Sequence, residues 1–244
     1  MSDTNARGVP MTATDVYEPV VDREFAEIFL RNVDDPIKTH VMGMFHGWWS
    51  VAPQSAIDQY LELFRALPGA DVFLAERHLP EPLSLDDLAD YAPGTLGHAY
   101  RSFIVDNDLM ANLATNYREL HDRLGGEGAL DRMPDDLRYA VVRGFMMHDF
   151  VHTITGNAPD IRGELTVAGF HFAQMQYPYH AFRMAVTSGH VALVNPSGIV
   201  MVMDAFCEGW TRGRGAKNLH FVKWEEQLDR DLGEIRREFD VVVG

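Results

Sequence analysis

The chain has 244 residues, 46% of them apolar, and 36 acidic against 21 basic side chains give it a net charge of −15. That is enough apolar material to bury one substantial core, while the acidic balance argues against a phosphate-tracking surface and hence against a nucleic-acid partner. The single cysteine, Cys207, excludes an internal disulfide framework and any all-thiolate zinc site, and fits a reducing compartment.

No apolar run approaches the ~20 residues of a membrane span. The segment from Met1 to Arg7 has neither the apolar region of a signal peptide nor the Arg-rich amphipathic character of a transit peptide. The expectation is a cytoplasmic chain that can lie peripherally on the inner membrane and meets any membrane lipid from the soluble side.

Residues 1–20, with Gly8, Pro10 and Pro19, predict a poorly ordered arm, and 21–244 a single domain. Phe25, Ile28, Phe29 and Val33 recur at helical spacing from Arg23 to Val33. Asp34-Asp35-Pro36 ends that helix and can start the next, from Ile37 to about Ser50, which carries Trp48 and Trp49. A further helix is predicted from Ser55 to Ala66, then an irregular connection over 67–83 with one short helical turn. Ser84 with Asp87 reads as the cap of a short helix that ends before Pro93. Thr95 caps a helix from Leu96 to Asp106, Leu109 to Arg123 forms another closed by Gly125-Gly126, and Pro134 to Thr153 forms a long one. Helices from Arg162 to about Tyr177, Phe182 to Val194 after a kink at Pro178, Ile199 to Lys217 and Trp224 to Phe239 complete the chain. The period is 3.6 nearly throughout, so the fold class is all-α.

Chemistry concentrates between residues 148 and 164. His148, Asp149 and His152 fit one helical face, because each residue turns about 100° and His152 lies about 40° from His148. In an unbroken helix Glu164 would stand roughly 18 Å beyond His152, too far to share an ion. Thr155-Gly156-Asn157-Ala158-Pro159 is a helix-ending, turn-forming run, so the chain turns back and the carboxylate can meet the imidazoles. This donor set suits a divalent ion, zinc first and iron(II) as the alternative, since two histidines and a carboxylate also describe an oxygen-activating iron triad. The plain structural reading is a pair of ordinary polar neighbours at i and i+4; the added Asp149, the break and the spaced Glu164 argue for a metal instead. Glu164 is either a ligand or a group that accepts a ring N–H from one histidine.

The spacing His-Asp-x-x-His, eleven residues, then Glu resembles the signature of the Coq4 family of ubiquinone biosynthesis proteins. The likeness extends to Asp135-Asp136-Leu137-Arg138-Tyr139-Ala140 before the motif, to Gly163, Gln174 and Pro178, and to Pro93 through Phe103, which is similar to the family's Gly-Thr-x-Gly-x-x-Tyr segment. Downstream, Ala205, Gly209, Leu219, Trp224-Glu225 and Leu232 to Arg236 continue it, so that the resemblance covers about Asp86 to Phe239. It implies a Coq4-like helical domain with the motif on two adjacent antiparallel helices.

The implied activity is a metal-assisted oxidative decarboxylation that exchanges a ring carboxyl at C1 for hydroxyl on a polyprenylated quinone precursor. The implied partners are other coenzyme Q biosynthesis proteins and a membrane surface, and the expected assembly is a homodimer. His148, Asp149, His152 and Glu164 would form the catalytic metal site.

Substrate contacts are expected from Tyr100, Arg101, Met147, His171, Phe172 and Met175. His171 lies two helical turns after Glu164 on a similar face and departs from the family, in which an acidic residue is common there. The bland readings are a core histidine for His171, a solvated surface residue for Arg101, and helix–helix core for the Met and Phe positions. Two other functions fit the residues: a non-catalytic prenyl-lipid scaffold, and a His-Asp type metal phosphohydrolase, suggested by His121-Asp122 with His148-Asp149.

Overall fold

The 3.6-residue apolar period becomes helix after helix in the computed structural model, which describes residues 23–35, 48–49, 52–126 and 130–243. The helices are α1 (Arg23–Asp34), α2 (Gln54–Arg65), α3 (Ala70–Glu76), α4 (Leu96–Asp106), α5 (Met110–Leu113), α6 (Tyr117–Gly126), α7 (Asp135–Thr155), α8 (Ile161–Met175), α9 (Pro178–Val194), α10 (Ile199–Gly215) and α11 (Leu232–Glu238). Single 3₁₀ turns stand at Pro196–Gly198 and Trp224–Glu226. Among the described residues there is no strand, only an isolated antiparallel bridge between Thr95 and Asp231. The predicted arm over 1–20, and all of the predicted helix over 37–50 except Trp48 and Trp49, lie outside the described residues.

Three predicted helices differ from the structure, and in two of them a side chain or a tertiary contact takes up backbone groups that a helix would need. Ser84 and Asp87 do form reciprocal capping bonds, Ser84 N donating to Asp87 Oδ2 at 2.8 Å and Asp87 N to Ser84 Oγ at 3.2 Å. Residues 85–90, however, form only turns, closed by i→i+3 bonds from Leu88 and Ala89. The helix predicted over 109–123 is split into α5 and α6, because the Asn116 side chain accepts from Glu119 N and caps a new start. The C-terminal helix predicted from Trp224 shrinks to a 3₁₀ turn plus α11. The carbonyls of Leu228 and Arg230 accept from Gly97 N at 2.7 Å and Leu96 N at 2.9 Å, which ties residues 228–232 to the start of α4. Pro178 begins α9 rather than kinking a longer helix; the preceding break is Gln176, at φ 51.

α7, α8 and α10 form the frame. α8 and α10 touch backbone to backbone: a Cβ at Gly209 would stand 1.8 Å from the Thr166 carbonyl oxygen, and one at Gly169 2.3 Å from that of Phe206. One apolar cluster, with Trp49, Phe64, Leu137 and Tyr177, fills the space between α2, the start of α7 and the end of α8. A second, with Leu96, Ile104, Phe150, Val167 and Trp224, fills the space between α4, the end of α7 and the C-terminal segment.

Candidate metal centre

The end of α7 is fixed by its own turn. Gly156 takes the left-handed conformation, φ 74, that a helix C-terminus requires and glycine adopts without strain. Its N–H and that of Asn157 both donate to the His152 carbonyl. The Arg236 guanidinium of α11 takes two more of the terminal carbonyls, donating to Ile154 O at 2.8 Å and Thr153 O at 3.1 Å, a cation where the helix dipole favours one. Asp160 then caps α8 through Gly163 N at 2.8 Å, and the chain reverses. Leu137 and Ala140, early in α7, share a cavity with Met175 at the end of α8, while His152 meets Glu164 at its start, so the two helices run antiparallel.

The reversal brings three donors to one point. His148 Nε2 and His152 Nε2 are 3.2 Å apart, and the Glu164 carboxylate lies 3.5 Å from the first and 3.3 Å from the second. His152 Nδ1 stands 3.1 Å from the Asn157 carbonyl. Because a carbonyl only accepts, this contact puts a ring proton on Nδ1 and turns Nε2 toward the site, where it donates to Glu164 when it carries a proton and offers a lone pair to a cation when it does not. Ligand atoms about 2.0–2.1 Å from a tetrahedral ion are separated by about 3.3 Å, so these three have the spacing of ligands around one cation. They form a group able to hold a metal ion, and His152 is buried while His148 and Glu164 are partly exposed. Burial by itself would raise the Glu164 carboxyl; hydrogen bonds from His148 and His152, and their charge, outweigh it and hold Glu164 well below the usual carboxylate range.

Asp149 does not join this group. Its carboxylate accepts from Asn112 Nδ2 at 3.3 Å and faces Tyr100 and Tyr117. Burial first, then the charge of Asp149, pushes Tyr117 up to about 12 and Tyr100 higher still. The reason is angular: one residue after His148, Asp149 is turned about 100° around α7, and the returning helix supplies Glu164 on the side of His148 and His152.

A cavity of about 290 Å³ opens against the triad. Its walls include His148, Glu164, Phe145, Met175, Tyr179 and Arg183, and it extends to Trp49 and Tyr60. Of the substrate contacts expected from the sequence, His171 and Met175 line it. Tyr100 stacks on Phe150 with ring centroids 4.0 Å apart and borders a smaller cavity on the Asp149 side. Met147 is fully buried and receives a 3.0 Å contact from the Arg143 guanidinium. Phe172 packs on Trp210. Arg101 is solvent-exposed on α4 and lines neither cavity.

Sequence reasoning missed the polar groups that complete the wall: His180 and Arg183 on α9, and His220 in the loop after α10. His180 and Arg183 could have been found as polar residues at i and i+3 in the first half of a mostly apolar helix, whereas His220 has no periodic signal. His171 Nδ1 lies 2.5 Å from His220 Nε2. Burial, assisted by neighbouring positive groups, keeps His171 and His180 far below the usual histidine range and pushes His220 down to about 3, so all three rings are neutral near pH 7.

A family model described as coenzyme Q (ubiquinone) biosynthesis protein Coq4 matches residues 73–243. A protein of Arthroderma otae named ubiquinone biosynthesis protein COQ4, mitochondrial, is 26% identical over 164 residues, which are 67% of this chain and 55% of that one. Proteins of the same name from Uncinocarpus reesii and Podospora anserina are 25% and 26% identical, over 66% of this chain and 52% and 48% of theirs. The chain thus spans about half the length of the curated relatives it matches. The crystal structure of a candidate ubiquinone biosynthesis protein from Nostoc punctiforme superposes with a TM-score of 0.66 over 88% of this chain and 95% of that one, at 21% identity. That likeness establishes a shared helical fold.

Proposed function

This chain belongs to the Coq4 family of coenzyme Q (ubiquinone) biosynthesis proteins, and on that premise we propose that it is a metal-dependent oxidative decarboxylase of a polyprenylated benzenoid precursor. The observation that carries the reading is the triad of His148, His152 and Glu164 at the wall of a largely apolar cavity. A divalent cation held there, zinc or iron(II), would supply Lewis-acid stabilisation of the charge that develops on the ring as carbon dioxide leaves. In the exchange the C1–carboxyl bond breaks with loss of carbon dioxide, a C1–oxygen bond forms to an oxygen from water, and dioxygen takes up the two electrons and two protons released and leaves as hydrogen peroxide.

The residues do the rest of the work. His152, locked by the Asn157 carbonyl, and Glu164, fixed at the start of α8, hold their donors toward the cavity. Phe145, Ala168, Met175 and Tyr177 surround the ring and exclude water. At about 290 Å³ the cavity is at the small end of ligand pockets, which start at roughly 300 Å³, so it suits a ring and the beginning of a tail whose remainder lies outside. Among the described residues no helix is long and apolar enough to cross a membrane, and we propose that the lipid is met peripherally, alongside other proteins of coenzyme Q synthesis.

Catalysis is favoured over a purely scaffolding role because Asp149 is engaged by Asn112, so three protein donors leave a coordination position open. The phosphohydrolase alternative lacks support on one side, since Asp122 is exposed and outside the cavity wall. The test is metal identification by mass spectrometry on protein purified without an affinity metal, together with turnover of a prenylated hydroxybenzoate. His148→Ala and Glu164→Ala are each expected to lose the ion and the turnover; full activity in both rejects the proposal.

A further inference from the structure

Among the described residues lining the cavity, Arg183 is the single permanent cation. Its guanidinium offers five donors, yet its contact with Glu164 Oε2 is 3.4 Å, longer than the roughly 2.7–2.9 Å of a good charge-assisted bond. Its other partner is the neutral Tyr179 hydroxyl. Glu164 is in turn engaged by His148 and His152, and by any ion they share. A charge so placed in an apolar wall is costly without a close counter-charge.

His180, one helical turn before Arg183 on α9, has a second deficit: its Nδ1 is sealed from solvent and has no hydrogen-bond partner among the described residues. Buried unpaired polar atoms are rare enough in folded proteins to call for a missing partner. The two groups share one face of one helix, both line the cavity, and the neutral imidazole adds a donor without adding a repelling charge.

We propose that Arg183 and His180 together seat the carboxylate of the ring substrate, the planar guanidinium gripping it and the imidazole N–H completing its coordination. This rests on the reading of the substrate as a carboxylated prenyl ring, and it assigns the carboxylate to α9 rather than to the triad alone. Arg183 touches Glu164, so a carboxylate seated there holds the ring beside the three donors.

The test compares two probes by isothermal titration calorimetry: a hydroxybenzoate carrying one isoprenoid unit, and the same prenylated phenol without its carboxyl group. Both are titrated into wild-type protein as purified and after removal of metal by chelation. The carboxylated probe is expected to bind about ten- to a hundredfold more tightly, as for a hydrogen bond to a charged group, and this preference should survive metal removal. Arg183→Gln should abolish it, bringing the two probes to equal affinity, Arg183→Lys should keep part of it because charge remains without the planar fork, and His180→Gln should weaken it severalfold. The proposal is overturned if the preference disappears on chelation in wild type, which would place the carboxylate on the ion, or if it persists undiminished in Arg183→Gln protein with native far-UV circular dichroism. If neither probe binds wild type, the substrate reading itself falls, an outcome distinct from both.

Discussion

Glu225→Ala is expected to be among the most damaging single changes outside the cavity. Arg143, on α7 one turn before Met147, has a side chain only 2% exposed, and Glu225 one 9% exposed. The pair is bidentate, Nη1 to Oε1 at 2.8 Å and Nη2 to Oε2 at 3.3 Å, with further contacts from Nη2 to Met147 Sδ at 3.0 Å and to the Val222 carbonyl at 3.4 Å. It clamps the segment carrying Trp224 to the helix that carries His148 and His152. Removing the carboxylate leaves a guanidinium buried with only the sulfurs of Met146 and Met147 and the Val222 carbonyl for company, and breaking a buried pair from one side costs about 3–5 kcal/mol. At about 2–4 °C per kcal/mol for a domain of this size, the melting temperature should fall by roughly 6–20 °C.

The double change Arg143→Met with Glu225→Leu removes both charges and fills the space, and should recover most of the loss, because an apolar replacement of a buried pair is often neutral. Urea and thermal unfolding monitored by far-UV circular dichroism read both. A loss below about 1 kcal/mol in Glu225→Ala, or a double variant as unstable as the single, would refute the argument that an uncompensated buried charge is what matters.

The buried histidines make a pH prediction. With His171, His180 and His220 depressed below their unfolded value of 6.5, the unfolded chain binds more protons below that pH. Their contribution is therefore whole above about pH 6.5 and is lost as acid is added, for His220 down to about pH 3. Each ring can contribute a slope of up to about 1.4 kcal/mol per pH unit, so unfolding free energies of metal-free protein should fall steeply between about pH 7 and pH 5, and less steeply in His220→Gln. Stability independent of pH over that range would contradict the burial of neutral rings. At the α8–α10 seam, Gly209→Ala should cost at least the roughly 1–3 kcal/mol of ordinary overpacking, since the new carbon meets the Thr166 backbone oxygen. Gly144→Ala on α7, with nothing within 4 Å of its Cβ, should instead stabilise by about 0.5–1 kcal/mol; equal effects at the two glycines would show that close backbone approach is not what Gly209 provides.

Most helices were legible because their signals are local. Thr95 begins α4 where a capping residue should, Gly156 ends α7, and Asp160 starts α8 after the turn that the run from Thr155 to Pro159 implied. Two of the misreadings share a cause. Asn116 divides α5 from α6 by capping with its side chain, and Leu228 and Arg230 give their carbonyls to the start of α4; neither competitor has a periodic signature. At the site, spacing pointed to His148, His152 and Glu164 together, but Asp149 satisfied the same motif and faces Asn112 instead. Arg101 was suggested by the family likeness of its segment, while the cation of the cavity comes from Arg183, on a different helix.

From residue order alone came the helical class, the turn between α7 and α8, and the donor types at a prospective ion, because period, caps and breakers act within a few residues and leave their marks along the chain. Which donors actually converge, where Asp149 turns, and how α9 and the His220 loop close the cavity were decided by packing. Helices meet through whichever faces bury best, and the choice of faces, made between segments far apart in sequence, sets the direction of every side chain at the site.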